Sequence, residues 1–147
     1  MIKVMFVCHG NICRSPMAEF VFRDMVKKAG QDIFVCSSAT SREEIGSPVH
    51  RGTKKKLAEV GISTDGKYAV QLTKGDYEKY DYIIGMDSAN IRNIERIVGA
   101  DTKNKVYKLL DFADGGDIAD PWYTGNFDET YDDVVRGCEG LLKKLMN

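Results

Sequence analysis

Two cysteines and an arginine lie close together in VCHGNICRSP, residues 7–16 of the chain. A cysteine reacts as its thiolate, and the planar fork of an arginine can hold two oxygens of a bound anion. Gly10 and Asn11 lie between these residues and tolerate the left-handed backbone that a tight loop requires. The stretch therefore predicts a loop that binds an oxyanion beside a nucleophilic sulfur, with Cys8 as the nucleophile and Arg14 as an anion ligand.

Three other interpretations of this stretch are open at the level of the residues. A zinc site needs about four ligands, and only Cys8, Cys13 and His9 lie near one another in the sequence. A structural disulfide between Cys8 and Cys13 would be unusual in a chain of cytosolic character. A plain connection between a strand and a helix would leave the thiols and Arg14 without a role.

The elements around the loop favour the anion site. Short apolar runs predict four strands, and they lie at residues 2–7, 33–36, 80–86 and 105–110. Helical spacing of apolar residues follows Ser15-Pro16, Ser47-Pro48 and Ser88, and glycines end these segments at positions 30, 61 and 99. A last segment with apolar residues at helical spacing begins at Phe127. This alternation predicts an α/β fold, a parallel sheet with helices on both faces.

The predicted loop falls where such a sheet binds its ligands. Cys8 follows the first strand, and ligands bind beyond the carboxyl ends of parallel strands. We expect Ser15 to cap the next helix and Pro16 to be its first residue, and we expect Ser47 and Ser88 to cap the two helices that follow them. Free N–H groups and the partial positive charge at a helix start favour an anion and a thiolate.

Composition narrows the possible functions. The chain has 147 residues, a formal net charge of -1 and 43% hydrophobic residues, which predicts one folded domain over 1–147. A near-neutral charge does not favour nucleic-acid binding, and no apolar run is long enough for a membrane helix. The N-terminus lacks the layout of a signal peptide, so we expect a cytoplasmic protein with reduced cysteines.

The chain resembles the low-molecular-weight protein tyrosine phosphatases along essentially its whole length. VCHGNICRSPMAE matches the family signature V-C-x-G-N-x-C-R-S-P-x-A-E, and SSATS, YDYIIGMDSAN and DPWY follow in the expected order. The resemblance implies a four-stranded parallel sheet with a phosphate-binding loop after strand 1. It also implies hydrolysis of phosphotyrosine and of small aryl phosphates without a metal or another cofactor.

The resemblance assigns roles to particular residues. Cys8 matches the nucleophile that forms a phosphocysteine, Arg14 the phosphate ligand and Asp120 the general acid. Pro121 restricts Asp120 to an extended backbone, which could hold its carboxyl over the cleft. The implied partners are phosphotyrosine-containing proteins, with inorganic phosphate or another oxyanion in the loop.

The remaining predicted site residues surround these three. Ser15 matches a residue that bonds the thiolate, and Ser37, with Asn11, matches residues that hold the loop in shape. Cys13 is either a buried side chain or a thiol that captures an oxidised Cys8 as a reversible disulfide. The residues expected to bind phosphate or substrate are His9, Gly10, Asn11, Ile12, Cys13, Ser15, Glu43, Trp122 and Tyr123.

Two positions depart from the family pattern. Glu43 stands where the family often has an aromatic wall, which predicts weaker binding of acidic phosphopeptides. Lys67 stands where family members often have a histidine that supports the loop asparagine.

Two other functions are open besides a tyrosine phosphatase: a protein-arginine phosphatase of the same fold, and a phosphate- or phosphopeptide-binding module without activity. Arsenate reductases share the fold, but residues 80–110 lack the further cysteines that they need.

Overall fold

A computed structural model describes all 147 residues of the chain and contains one parallel sheet of four strands. The strands are β1 (Ile2–Cys8), β2 (Ile33–Ala39), β3 (Tyr82–Gly85) and β4 (Val106–Lys108). Their order in the sheet is β2-β1-β3-β4, which places β1 between β2 and β3. The predicted four-stranded parallel sheet is confirmed.

The strand bounds differ most from the sequence prediction at β2 and β4, while β1 is one residue longer than predicted and β3 begins two residues later and ends one residue earlier. β2 runs three residues further than predicted, because Ser37, Ser38 and Ala39 pair with the end of β1. The hydroxyl groups of Ser37 and Ser38 are buried and hydrogen-bonded, so the polar character of these two residues concealed this part of the strand in the sequence. β4 is shorter than predicted, since the chain turns into a short 3₁₀ helix at Leu109–Phe112.

Six helices surround the sheet on both faces, as predicted. The helices α1, α2 and α6 share one apolar core with β1, whereas α3 and α4 pack against the other face. No helix combines the length and the apolar character that crossing a membrane requires. The helices are α1 (Arg14–Lys28), α2 (Arg51–Glu59), α3 (Asp76–Lys79), α4 (Ser88–Val98), α5 (Pro121–Thr124) and α6 (Phe127–Met146).

The three predicted serine caps are wrong. α1 begins at Arg14, so Ser15 lies inside its first turn and its hydroxyl contacts Cys8 instead of the helix backbone. The N-cap of α2 is His50, since Pro48 is held in an antiparallel bridge with Tyr68. The N-cap of α4 is Asp87, one residue before Ser88.

The glycine stops are confirmed by their backbone angles. Gly30, Gly61 and Gly99 lie just after α1, α2 and α4 and have φ angles of 64°, 76° and 91°. This left-handed region strains any residue with a Cβ atom, so glycine ends a helix there without strain.

The carboxyl ends of the strands bring distant residues to one edge of the sheet. Cys8 ends β1, and Asp87 follows β3 by two residues. The segment between β4 and α5 returns to this edge because Ile118 N–H donates to Met86 O at 2.9 Å, and the Ile118 side chain is buried. Residues separated by more than 100 positions thereby meet beside Cys8.

Candidate active site

The Cys8 sulfur lies at the bottom of a loop and faces several hydrogen-bond donors. The Ser15 hydroxyl is 3.0 Å from the sulfur, and the N–H groups of Asn11 and Ser15 approach it at 3.3 and 3.4 Å. Cys8 itself is 3% exposed. Hydrogen-bond donors aimed at a sulfur atom stabilise negative charge that develops on it.

Asn11 fixes the shape of this loop. It has a left-handed backbone with φ of 59°, and its side-chain amide donates to Ser15 Oγ at 2.8 Å and to Ser37 Oγ at 2.9 Å. Its Oδ1 accepts from Val70 N–H at 3.1 Å. Because Ser15 Oγ accepts from Asn11, its one hydrogen can point at the Cys8 sulfur at 3.0 Å, which is nearer than its other acceptor, Ser38 O, at 3.5 Å.

A buried ion pair supports Ser37 from behind. Ser37 Oγ donates to Glu19 Oε1, and Lys67 Nζ lies 3.7 Å from the same oxygen. Lys67 Nζ also donates to Ser37 O at 2.9 Å, and burial lowers the pKa of Lys67 despite the attraction of Glu19. Lys67 therefore supports the loop through Ser37 and Glu19, with no direct bond to Asn11.

Arg14 is held under the cleft by acceptors from two other parts of the chain. Its Nη1 donates to Asp87 Oδ2 at 2.7 Å and to Ile118 O at 2.8 Å, and its side chain is 3% exposed. Burial opposes the charge of Arg14, but Cys8, Asp87 and Asp120 together raise its pKa. Nη1 is occupied and one N–H of Nη2 approaches Asp120 Oδ2 at 3.5 Å, so Nε and the second N–H of Nη2 are left to bind two oxygens of an anion.

Asp87 was missed by the sequence prediction. Its place directly after an apolar strand was the only available signal, and its partner Arg14 lies 73 positions away. Its Oδ1 accepts from Asn90 N–H at 2.8 Å, which caps α4, while Oδ2 holds Arg14.

Asp120 reaches the same cleft from the far end of the chain. Its backbone is extended, with φ of -81° and ψ of 115°, as the following Pro121 predicts. Oδ1 accepts from Trp122 N–H at 3.0 Å, and Oδ2 lies 3.5 Å from Arg14 Nη2. One carboxylate oxygen is thus fixed by α5, and the other lies beside the anion site.

The cleft above Cys8 has a volume of about 290 Å³ and brings most of the predicted site residues together. Asn11, Ser15 and Ser37 lie behind it as supports. Glu44 lines the cleft and was not predicted. The lining residues are Cys8, His9, Gly10, Ile12, Cys13, Arg14, Glu43, Glu44, Asp120, Trp122 and Tyr123.

Two side chains at the rim form an exposed pair. His9 Nε2 bonds Glu43 Oε2, and the two side chains are 52% and 69% exposed. The His9 ring therefore points to the rim and not to the sulfur. No cluster of three or more His, Cys, Asp or Glu side chains is placed to hold a metal ion, and Cys8 and Cys13 are not joined to each other.

Cys13 lies inside the loop as a buried thiol. Burial raises its pKa to about 12, and the nearby charges of Cys8 and Asp120 act in the same direction. Cys13 is 4% exposed, so it stays protonated at neutral pH while Cys8 is the sulfur surrounded by donors.

Comparison with known proteins identifies the class that this fold and site define. Residues 3–147 match the family model described as low molecular weight phosphotyrosine protein phosphatase, and the chain belongs to that family.

Similar proteins are found in several bacteria. The low molecular weight protein-tyrosine-phosphatase YfkJ of Bacillus subtilis (strain 168) is 43% identical, over 99% of this chain and 96% of that protein. Its crystal structure superposes with a TM-score of 0.96 and covers 99% and 95% of the two chains. The low molecular weight protein-tyrosine-phosphatase PtpA of Staphylococcus aureus (strain MRSA252) is 41% identical, over 99% of this chain and 95% of that protein. The crystal structure of SP-PTP, a low molecular weight protein tyrosine phosphatase from Streptococcus pyogenes, superposes with a TM-score of 0.90. Its sequence is 44% identical, and the match covers 100% of this chain and 95% of that chain.

Proposed function

We propose that the chain hydrolyses phosphotyrosine in proteins, with Cys8 as the nucleophile, Arg14 as the phosphate ligand and Asp120 as the general acid and base. The observation that carries this proposal is the convergence of three donors on one sulfur, in a cleft that also contains a buried arginine and a carboxylate. A module that only binds phosphate has no need of that sulfur environment.

In the first step, the Cys8 thiolate attacks phosphorus and an S–P bond forms. The bond between phosphorus and the phenolic oxygen breaks, and Asp120 gives its proton to the leaving oxygen. The equatorial oxygens are held by loop N–H groups and by Nε and the second N–H of Nη2 of Arg14, which stabilises the charge of the transition state. The products are free tyrosine side chain and phosphocysteine.

In the second step, the same carboxylate acts as a base. Asp120 removes a proton from a water molecule while the water oxygen attacks phosphorus. The S–P bond breaks, inorganic phosphate leaves, and the Cys8 thiolate is restored with its hydrogen bonds from Ser15 and Asn11.

The walls of the cleft favour an aryl phosphate. Ile12 and Trp122 line the cleft and offer apolar surface to a flat ring, whereas Glu43 and Glu44 add acidic groups at its edge. A phosphoguanidine substrate would gain little from these apolar surfaces. Phosphotyrosine is therefore favoured over phosphoarginine, and small aryl phosphates or inorganic oxyanions would enter the same loop.

The proposed chemistry also bears on where the protein works. The nucleophile must remain a reduced thiolate, and all four cysteines are free. Reduced thiols persist in the cytoplasm, where we place this activity.

Two variants test the proposal. The native chain is expected to hydrolyse p-nitrophenyl phosphate and a phosphotyrosine peptide with a chelator present, and Cys8→Ser is expected to lose this activity while still binding phosphate. Asp120→Asn is expected to slow hydrolysis by about 10²–10⁴. A native chain that binds phosphate without turnover would be a binding module, and preference for a phosphoarginine peptide would favour the arginine phosphatase.

A further inference from the structure

Three rings pack against one another beside the cleft. The rings of Trp122 and His50 pack edge to face, with ring centres 5.6 Å apart and an angle of 76° between them. The His50 ring also stacks on Phe127, with centres 5.4 Å apart and an angle of 15°. His50 thus lies between a wall of the cleft and the start of α6.

His50 is also tied to the phosphate loop. Its backbone N–H donates to Ile12 O at 2.8 Å, and one turn later the buried Thr53 hydroxyl donates to Cys13 O at 3.1 Å. The first turn of α2 is therefore fixed to the loop that holds Cys8. The position of the His50 ring relative to the phosphate site follows from these bonds.

Phe127 holds the His50 ring from below, and Gly52 makes room for it. A Cβ atom at Gly52 would lie 2.2 Å from the Phe127 ring, so only glycine lets this ring approach α2 so closely. Gly52 N–H also donates to His50 Nδ1 at 3.0 Å, which fixes the imidazole plane. The His50 ring is held by a hydrogen bond at one atom and by a stacked ring on one face.

Trp122 has much weaker support of its own. It is 58% exposed, lies on the single turn of α5, and makes its only aromatic contact with His50. An indole that is more than half exposed has many rotamers open to it unless a neighbour restricts them. His50 is the neighbour placed to do so.

We propose that His50 is a positioning residue that sets the distance between the phosphate loop and the Trp122 wall, and so gives the cleft its preference for aryl over alkyl phosphate esters. This inference rests on the proposed phosphatase function. It assigns to His50 no contact with the reacting atoms.

Two variants separate the effect of the His50 ring from the effect of His50 as the N-cap of α2. His50→Asn keeps a side-chain acceptor for Gly52 N–H but removes the ring, whereas His50→Phe keeps a ring and removes the acceptor. We expect His50→Asn to raise KM for p-nitrophenyl phosphate by about threefold to tenfold, the loss of one aromatic pair contact. The inhibition constant of inorganic phosphate and the KM of β-glycerophosphate, an alkyl ester, should change by less than about twofold. His50→Phe should keep the native KM ratio of aryl to alkyl substrate, even if its melting temperature falls.

The single tryptophan of the chain gives a readout that does not depend on activity. Fluorescence anisotropy of Trp122 should fall in His50→Asn, because the indole loses the ring that restricts it, and should stay near the native value in His50→Phe. In a Trp122→Ala background, His50→Asn should leave KM unchanged, since the wall that it positions is gone.

Each contrary result has a defined meaning. A folded His50→Asn protein with native KM and native anisotropy would overturn the role of His50. A larger rise in KM for His50→Phe than for His50→Asn would assign the effect to the cap of α2, because only Phe removes the acceptor for Gly52 N–H, and this result also overturns the role of the ring. A native chain that does not hydrolyse p-nitrophenyl phosphate would instead refute the proposed function, and the anisotropy comparison would still test the contact between His50 and Trp122.

Discussion

At the residue scale, Asp87 connects Arg14 in the cleft to the start of α4. One of its oxygens caps α4 and the other holds Arg14, so the guanidinium is oriented by a group that is itself fixed by a helix backbone. Hydrogen bonds between charged groups are worth about 1.5–3 kcal/mol. Loss of the carboxylate charge should therefore affect phosphate binding more than folding.

We predict that Asp87→Asn lowers kcat/KM by about tenfold to a hundredfold and weakens inhibition by phosphate. The asparagine keeps a capping oxygen for Asn90 N–H, so the melting temperature should change little. Steady-state kinetics and a thermal melt measure the two effects. As a control, Asp117→Asn removes an exposed carboxylate that bonds Lys108 and should change kcat/KM by less than about twofold. Native kinetics in Asp87→Asn would contradict the role given to this carboxylate.

Glu43 lies at the rim of the cleft, at a position where the family often has an aromatic side chain. We predict that Glu43→Tyr lowers KM for p-nitrophenyl phosphate, because a ring at this edge adds a stacking surface to the cleft. Glu43→Gln is the matched control, since it removes the charge without adding a ring. It should improve binding of acidic phosphopeptides and leave KM for p-nitrophenyl phosphate nearly unchanged. If Glu43→Tyr has the native KM, position 43 does not contact the aryl group.

Local spacing was sufficient to predict Cys8 and Arg14, because the loop that joins them is continuous in sequence. Asp120 came only through resemblance, since its distance from Cys8 along the chain carries no physical signal. Asp87 and the Glu19–Lys67 pair were not predictable as supports, because each acts through a partner that the fold brings from another element. The Ser15 cap failed for a related reason: the Ser15 hydroxyl contacts the Cys8 sulfur, which helix propensity alone does not reveal.

At the element scale, the approach of α6 to the segment after β4 depends on two glycines. A Cβ atom at Gly140 would lie 1.9 Å from Phe112 O, and one at Gly137 would lie 2.5 Å from Leu109 Cγ. This close packing fixes the short 3₁₀ helix from which the chain continues to Asp120. Helical periodicity predicted α6, but it gave no reason for glycine at these positions.

We predict that Gly140→Ala destabilises the protein, although alanine favours a helix over glycine by about 1 kcal/mol. The clash is with backbone, so the helix must shift, and overpacking of this kind costs about 1–3 kcal/mol. Urea unfolding measures the loss. The exposed neighbour substitution Glu139→Ala should change stability by less than about 0.5 kcal/mol. An increase in stability for Gly140→Ala would mean that α6 lies further from Phe112 than described.

At the scale of the whole molecule, the buried thiols make stability depend on alkaline pH. Burial raises the pKa of Cys13 to about 12 and that of Cys36 to about 11, and it also raises the pKa of Cys138. An unfolded cysteine ionises near pH 8.5. Above that pH the unfolded chain loses protons that the folded chain retains, so stability falls as pH rises.

We predict that the urea midpoint, measured with a reductant present, decreases between pH 8 and pH 10. Each fully buried thiol contributes up to about 1.4 kcal/mol per pH unit in this window. Cys138→Ala removes one of these groups and should flatten the dependence, although it lowers the midpoint at pH 8 by leaving a cavity. The same slope in both proteins would show that Cys138 does not contribute.

Asp120, Pro121 and Trp122 are consecutive, and Asp120 Oδ1 accepts from Trp122 N–H, so the carboxyl group and the aromatic wall share one short turn. Recognition of the ring and departure of the phenol are therefore mechanically linked in the proposed reaction. A small molecule bound under the Trp122 indole would move the Asp120 carboxyl away from the leaving oxygen without occupying the phosphate-binding loop. Such an inhibitor would reduce turnover while phosphate, added as a competitor, failed to displace it.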